Sequence, residues 1–376
     1  MKIDYGREIK RVIVKVGTST LTHENGTINI ERMEQLVRGL VDISNKGYEV
    51  ILVSSGAVGA GVGKLHKKKK PTTLPEKQAV AAIGQVTLMH LYEKFFGEYN
   101  KVVGQILLTR DDLANRKRNL NAKNTLLALL QFGAIPIINE NDTVAVDEIK
   151  VGDNDHLAAY VASLIDGDLL IILSDIDGLY TKNPATCKDG VLVEKVEKIT
   201  AEIEAYAGCE GSCFGTGGMM TKIKAAKIGT AAGVFVVIGN GNEKNLIADV
   251  VKGDFRGTIF IPHNKKIHTK KKWLLLSSKP KGTIIIDEGA QDALLKEGKS
   301  LLAIGITAVE GNFEADAVVS IKNALGKEIG RGITYYNSVN IEKIKGKKTK
   351  EMTKILDDEY EFDTVIHRDN MSVLNM

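Results

Sequence analysis

The residues best suited to chemistry fall in a few short segments. The most informative is Gly215-Thr216-Gly217-Gly218-Met219-Met220-Thr221-Lys222, which runs into a helical pattern through Ala225, Ala226 and Ile228. Glycines let backbone amides approach phosphate oxygens, and a helix N-terminus adds partial positive charge, so Lys222 can meet a phosphoryl group there. An isolated glycine cluster is more often a surface loop with a solvated lysine, but this one follows a strand-rich half of the chain. Lys15 lies near the end of an apolar run, Arg11–Val16, and is followed by Gly17, Thr18 and Ser19. A lysine there either meets a bound phosphate, which would offset the cost of burying it, or extends its stem to reach water.

Asp142, Asp147, Glu148, Asp153 and Asp155, with Asn139, Asn141 and Asn154, crowd between a strand pattern and a helix pattern. Helix capping accounts for Asp153 alone. Such a cluster suits an ammonium-bearing substrate, and it could also orient lysines or accept a metal through water, although no metal ligand is assigned. Ser174-Asp175 closes the apolar run Leu169–Leu173 and could reach a nucleotide or its magnesium.

Other chemistries fit less well. Gly59-Ala60-Gly61-Val62-Gly63-Lys64 is not a Walker A loop, because Val58 stands where the first glycine is required and Leu65 where Ser or Thr should hold the metal. It lacks the third glycine of a dinucleotide fingerprint. His156 belongs to the first turn of a helix, so no Ser/His/Asp hydrolase is supported. Cys209 and Cys213 have no zinc-ligand spacing.

The elements that position these segments follow a simple alternation. Strand patterns over Arg11–Val16, Val50–Val53, Val103–Leu108, Ile135–Ile138, Leu169–Leu173, Val234–Ile238 and Thr258–Ile261 are separated by helical ones. That predicts parallel strands with helical crossovers, hence an α/β layered sheet with ligands beyond the carboxyl ends of its strands. Ile30, Met33, Leu36 or Val37, Leu40 and Val41 recur at helical spacing, and Gly47 stands where that helix should stop. Past Ile261 the pattern changes. The chain divides into an α/β domain over 1–262, a basic linker over 263–279, a compact mostly-β domain over 280–358 and a C-terminal extension over 359–376.

A net charge of +4 over 376 residues argues against a polycation built to coat nucleic acid or lipid. Three cysteines, an odd number, fit a reducing compartment, and cytoplasm is the expectation. No export signal opens the chain and no run approaches 18 apolar residues, so no membrane role is expected.

Taken in order, VKVGTS (Val14–Ser19), SSGAVGAG (Ser54–Gly61), LLTRDD (Leu107–Asp112), INENDTVA (Ile138–Ala145), EIKVGDNDHLAA (Glu148–Ala159), SDIDGLYT (Ser174–Thr181) and GTGGMMTK (Gly215–Lys222) resemble the amino acid kinase family with an appended PUA domain. The resemblance covers essentially the whole chain. It implies a three-layer sandwich around a mostly parallel sheet plus a small mostly-β PUA-like domain. It also implies ATP-dependent phosphorylation of the L-glutamate side-chain carboxylate, the first step of proline biosynthesis, with Mg2+. On this pattern Lys15, Lys222 and Asp155 are catalytic, Asp155 orienting the two lysines. Ser55, Asp142, Asp153 and Asn154 bind the amino acid. Lys15, Ser174, Asp175, Thr216, Gly217, Gly218, Met219, Met220, Thr221 and Lys222 bind ATP. Ser54 stands where a threonine is common, and Met220 interrupts the glycine loop, but neither removes a charge. Free proline as feedback inhibitor, a glutamyl phosphate reductase as downstream partner and a homodimer or homotetramer are also implied.

Two rival readings remain beside this one. Related kinases act on aspartate, acetylglutamate, carbamate or a nucleotide, although an acidic window at Asp142–Asp155 disfavours a nucleotide acceptor. PUA domains in many proteins bind structured RNA, and the basic stretches His263–Trp273 and Lys343–Lys354 would neutralise phosphate, so RNA binding is held as a minor secondary role.

Overall fold

The computed structural model describes residues 1–23, 27–66, 71–145, 154–182, 184, 187, 189–207, 218–262, 280–356 and 362–373. The chain forms two compact units, Met1–Lys266 and Ile267–Met376.

The first unit is built on eight strands: β1 (Arg11–Val16), β2 (Glu49–Ser54), β3 (Val103–Leu108), β4 (Ile135–Glu140), β5 (Leu169–Ser174), β6 (Lys195–Val196), β7 (Phe235–Asn240) and β8 (Thr258–Phe260). They lie in the order β3-β4-β2-β1-β5-β7-β8-β6, and every neighbouring pair is parallel except β7 and β8. The chain builds from β1 outward through β2 to β4 and β3, then returns to the other side of β1 with β5. That reversal beside β1 is the topological switch point, where open α/β sheets leave a crevice at the strands' carboxyl ends.

Period-two alternation sorts each strand's side chains between two helical layers. Val12, Val14 and Val16 join one core with Met33, Leu36, Val37 and Leu40 of α2 (Ile30–Asn45), Leu88 and Phe96 of α4 (Leu74–Gly97), and Leu246 and Val250 of α10 (Leu246–Lys252). Helix α2 starts where the Asn29 side chain accepts from the Arg32 amide, and Gly47, at φ +91°, follows its end. Ile13 and Lys15 therefore face the other layer, where α7 (Asn154–Leu164) packs on β1, β2, β4 and β5, and α9 (Met219–Ala231) packs on β7 and on α7. This is the expected three-layer arrangement.

Between β2 and α4 lies α3 (Ala57–Lys64), opened by Gly56 in a left-handed conformation at φ +101°. Helices α3 and α4 touch backbone to backbone: a Cβ on Gly84 would lie 1.7 Å from the Ala57 carbonyl oxygen, and one on Gly61 would lie 2.0 Å from that of Val80. Only glycine permits that approach.

The second unit carries a five-stranded sheet of β9 (Gly282–Ile286), β10 (Ile306–Glu310), β11 (Val318–Asn323), β12 (Glu328–Ile333) and β13 (Met371–Val373), in the order β10-β9-β11-β12-β13. Its neighbours are antiparallel except β9 with β11. The segment beyond residue 358, expected from sequence to be a C-terminal extension, packs on this unit over its described residues. Val365 and Ile366 are buried in this unit's core, the Leu301 amide donates to the Ile366 carbonyl at 2.8 Å, and β13 forms the sheet edge beside β12. A three-residue strand following the short 3-10 turn Arg368–Asn370 has too little periodicity to signal itself. No helix among the described residues is long and apolar enough to cross a membrane.

Candidate active site

Three charged side chains meet at the switch point. Lys15 projects from the end of β1, Asp155 from the first turn of α7 and Lys222 from the first turn of α9. Lys15 Nζ lies 2.6 Å from Asp155 Oδ1, and Lys222 Nζ lies 3.2 Å from Asp155 Oδ2. The Thr221 hydroxyl also reaches Asp155 Oδ2, at 3.1 Å. All three charged groups are nearly or wholly buried, with exposures of 4% for Lys15, 0% for Asp155 and 7% for Lys222. Burial pushes the Asp155 carboxyl up, but Lys15 and then Lys222 outweigh it and hold the group at about 2. Asp155 is thus an anion throughout the neutral range, and it is shared by two lysines.

Helix α9 begins at Gly218, which has an extended backbone and no side-chain cap. Its first turn holds Met219, Met220, Thr221 and Lys222, and only the Thr221 side chain turns back, donating to the Gly218 carbonyl at 2.8 Å. A helix N-terminus opened by glycine beside a lysine is an anion-binding arrangement.

On the other side of Asp155, the amide of Asn154 ties together three strand ends. Its Nδ2 donates to the Ser54 carbonyl at 3.2 Å, to Ser55 Oγ at 2.8 Å and to Asn139 Oδ1 at 2.9 Å. Asn154 Oδ1 is buried without a hydrogen-bond partner among the described residues, so an acceptor is left for a donor from outside the protein. Ser55 sits immediately after β2, its amide donating to the Val16 carbonyl at 3.1 Å. Asp142 is half-buried in the turn after β4. The Asn154 acceptor and the Ser55 hydroxyl beside it are polar groups of the kind an amino acid's ammonium group would use.

Beyond β5, the Ser174 hydroxyl donates to Asp175 Oδ1 at 3.1 Å, and its carbonyl accepts from the Gly241 amide at 2.8 Å. Asp177 accepts from Asn240 at 3.0 Å, Tyr180 at 3.0 Å and Arg256 at 2.9 Å. Those hydrogen bonds, Asn240's first, hold its carboxyl below the ordinary range against the opposing effect of burial.

Residues 10–240 match the model of the amino acid kinase family, and residues 282–356 match the PUA domain. The chain is similar to a glutamate 5-kinase of Moorella thermoacetica, 54% identical across 98% of this chain and 97% of the relative. It is 52% identical to a glutamate 5-kinase of Thermoanaerobacter sp. strain X514, across 97% of this chain and 98% of the other. It is 46% identical to one of Geobacter sp. strain M21 over the full length of both.

The chain belongs to the amino acid kinase family, on its glutamate 5-kinase branch. Membership in a kinase family implies ATP as phosphoryl donor. In this amino acid kinase the described residues named from sequence lie along the carboxyl edge of the sheet. Lys15, Asp155, Thr221 and Lys222 form its centre, Gly218, Met219 and Met220 open α9, Ser55 and Asn154 meet on one side, and Ser174 and Asp175 follow β5 on the other. Asp142 stands apart from these contacts, in the turn after β4. Asp153, Thr216 and Gly217 lie outside the described residues, as do Asp147, Glu148, Cys209, Cys213 and the stretch His263–Trp273.

Sequence reasoning noticed Asn139 only as one member of the acidic window. The structure adds that its amide bonds Asn154, the Glu140 amide at 2.8 Å and Gln85 Oε1 at 2.9 Å. Gln85 and Tyr92, whose hydroxyl meets Ser54 Oγ at 2.8 Å, were not singled out at all.

Proposed function

We propose that the protein transfers the γ-phosphoryl group of ATP to the side-chain carboxylate of L-glutamate, giving glutamyl 5-phosphate, the first step of proline biosynthesis. The observation that carries this reading is the buried Lys15–Asp155–Lys222 cluster, set between the glycine-opened N-terminus of α9 and the Ser55–Asn154 pair. High identity to glutamate 5-kinases over nearly the full length supports glutamate as acceptor.

In this mechanism a carboxylate oxygen of glutamate attacks the γ-phosphorus in line, the bond to the β–γ bridging oxygen breaks, and ADP leaves with that electron pair. A side-chain carboxylate, with an ordinary pKa near 4.3, is already ionised at neutral pH, so no general base is required. Catalysis reduces to positioning and charge. Lys15 and Lys222 neutralise the transferring phosphoryl group, and Asp155 holds both ammonium groups at one focus. The α9 amides and Gly218 carry the donor phosphates, and Ser174 with Asp175 face the nucleotide. Asn154 Oδ1 and Asp142 receive the substrate ammonium, and Ser55 adds a hydroxyl. Mg2+ bound with ATP supplies further charge neutralisation, and Asp175 is the carboxylate best placed in sequence to meet its water shell. Preorganised donors of this kind are worth several kcal/mol in a water-poor site. The same reading makes the enzyme cytoplasmic, feedback-inhibited by proline, coupled to a glutamyl phosphate reductase and oligomeric, with any RNA contact confined to the PUA unit.

The test is ADP release from Mg-ATP with glutamate, aspartate, acetylglutamate and UMP in parallel, with hydroxylamine present to trap an acyl phosphate. Glutamate-dependent ADP with a trapped hydroxamate is expected; turnover with another acceptor alone overturns the assignment of substrate.

A further inference from the structure

Helix α4 carries three polar side chains at intervals of seven residues: Gln78, Gln85 and Tyr92. Seven residues fall about 20° short of two full turns and rise about 10.5 Å, so the three project from nearly one side at successive heights. Each ends on a different segment of the proposed acceptor pocket. Gln78 Nε2 donates to the Ala145 carbonyl at 3.2 Å, in the turn that carries Asp142. Gln85 Oε1 accepts from Asn139 Nδ2 at 2.9 Å, and the Tyr92 hydroxyl meets Ser54 Oγ at 2.8 Å, one residue before Ser55. Around them α4 buries Val80, Ala81, Gly84, Leu88 and Phe96. Tyr92 is buried and Gln78 and Gln85 are half-buried, and polar groups that leave water are costly unless bonded.

The middle contact fixes orientation. The Glu140 amide can only donate, so Asn139 must turn Oδ1 towards it and Nδ2 away, and Gln85 Oε1 is the acceptor that receives Nδ2. The Ser54 carbonyl can only accept, so Asn154 must turn Nδ2 towards it and towards Asn139 Oδ1. Asn154 Oδ1 is left as the outward acceptor. These two backbone groups and Gln85 Oε1 together set the directions of the Asn139 and Asn154 amides, and Gln85 is the one partner of Asn139 Nδ2 among the described residues.

We propose that Gln78, Gln85 and Tyr92 are positioning residues, and that α4 is the rail that sets acceptor affinity without acting on the nucleotide side. The idea rests on assigning the Ser55–Asn154 pocket to the acceptor. Gln85→Leu leaves Asn139 Nδ2 without its partner, freeing the Asn139 amide to rotate away from Asn154.

The experiment is steady-state kinetics of the full-length enzyme, using whichever acceptor the wild type turns over in the panel above. Gln85→Leu should raise KM for the acceptor about tenfold, the worth of one hydrogen bond, while KM for ATP changes less than about twofold. Gln85→Glu keeps an oxygen acceptor for Asn139 and should restore KM to within about threefold. Gln78→Met, farther from the centre, should shift the same constant in the same direction and keeps the test open if Gln85→Leu does not fold. An unchanged acceptor KM, parallel rises in both KM values, or a Gln85→Glu variant as defective as Gln85→Leu overturns the proposal. A crystal structure of Gln85→Leu is expected to show Asn139 rotated; an unmoved Asn139–Asn154 pair overturns the idea independently of substrate. Turnover of aspartate rather than glutamate by the wild type would sink the functional assignment alone, since the same comparison then runs with aspartate.

Discussion

Replacing Asp155 by Asn tests the electrostatic centre with little change in volume. Asn fills the same space, so no cavity complicates the result. What disappears is the single negative charge between two buried ammonium groups 2.6 Å and 3.2 Å from its oxygens. Removing one partner of a buried ion pair typically costs about 3–5 kcal/mol, because the remaining charge stays desolvated and unpaired. An independent route gives a similar scale. The Asp155 carboxyl is held at about 2 against an ordinary 3.8, which by linkage corresponds to stability on the order of 2–3 kcal/mol at pH 7. The mutation adds lysine–lysine repulsion to that figure, so the upper estimate is the better guide. The sign follows from the folded value lying below the unfolded one. The contribution is complete above pH about 4 and fades as pH falls towards about 2, where folded Asp155 itself takes up a proton. Urea unfolding followed by far-UV circular dichroism should therefore show Asp155→Asn about 3–5 kcal/mol less stable at pH 7, with the gap narrowing below pH about 4. ATP should raise the melting temperature of the variant more than that of the wild type, since phosphate replaces the missing anion. Stability within about 0.5 kcal/mol of wild type at pH 7 would refute the reasoning.

Two further outcomes follow from the geometry. Lys222→Ala should lower kcat by about 10²–10³ with a smaller change in either KM, read from initial rates at saturating ATP; near-normal turnover there would remove Lys222 from the reaction. Gly84→Ala should destabilise the first unit by at least about 1–3 kcal/mol, because the new Cβ would lie 1.7 Å from the Ala57 carbonyl oxygen and force α3 and α4 apart; an unchanged urea midpoint would contradict that contact.

The strands of the first sheet were legible because each is a short apolar run closed by polar or glycine residues. Lys15 was legible for a related reason, as a cation in a run that otherwise reads as buried. What the residues alone did not give was the partner of Lys15. Asp155 lies 140 positions away among several other carboxylates, and nothing in local spacing distinguishes it from Asp153; only the family resemblance implied its role. The two-residue β6 was missed because so short a pairing has no period, and β13 escaped for the same reason. Gln78, Gln85 and Tyr92 were hidden differently. Polar residues every seven positions look like the solvent side of an amphipathic helix, and only the fold shows that this side of α4 faces strand ends.

The placement of Asp155 explains why one carboxylate suffices for two lysines. Each lysine comes from a different element, β1 or α9, and their ammonium groups would repel one another at the separation a single phosphoryl group demands. An anion between them lowers that repulsion before any ligand arrives. On the proposed mechanism, nucleotide phosphates are then drawn to a focus that is already assembled, and little reorganisation remains to be done at the moment of transfer. Without Asp155 the two ammonium groups would repel one another, and the focus would have to be assembled by the ligand itself.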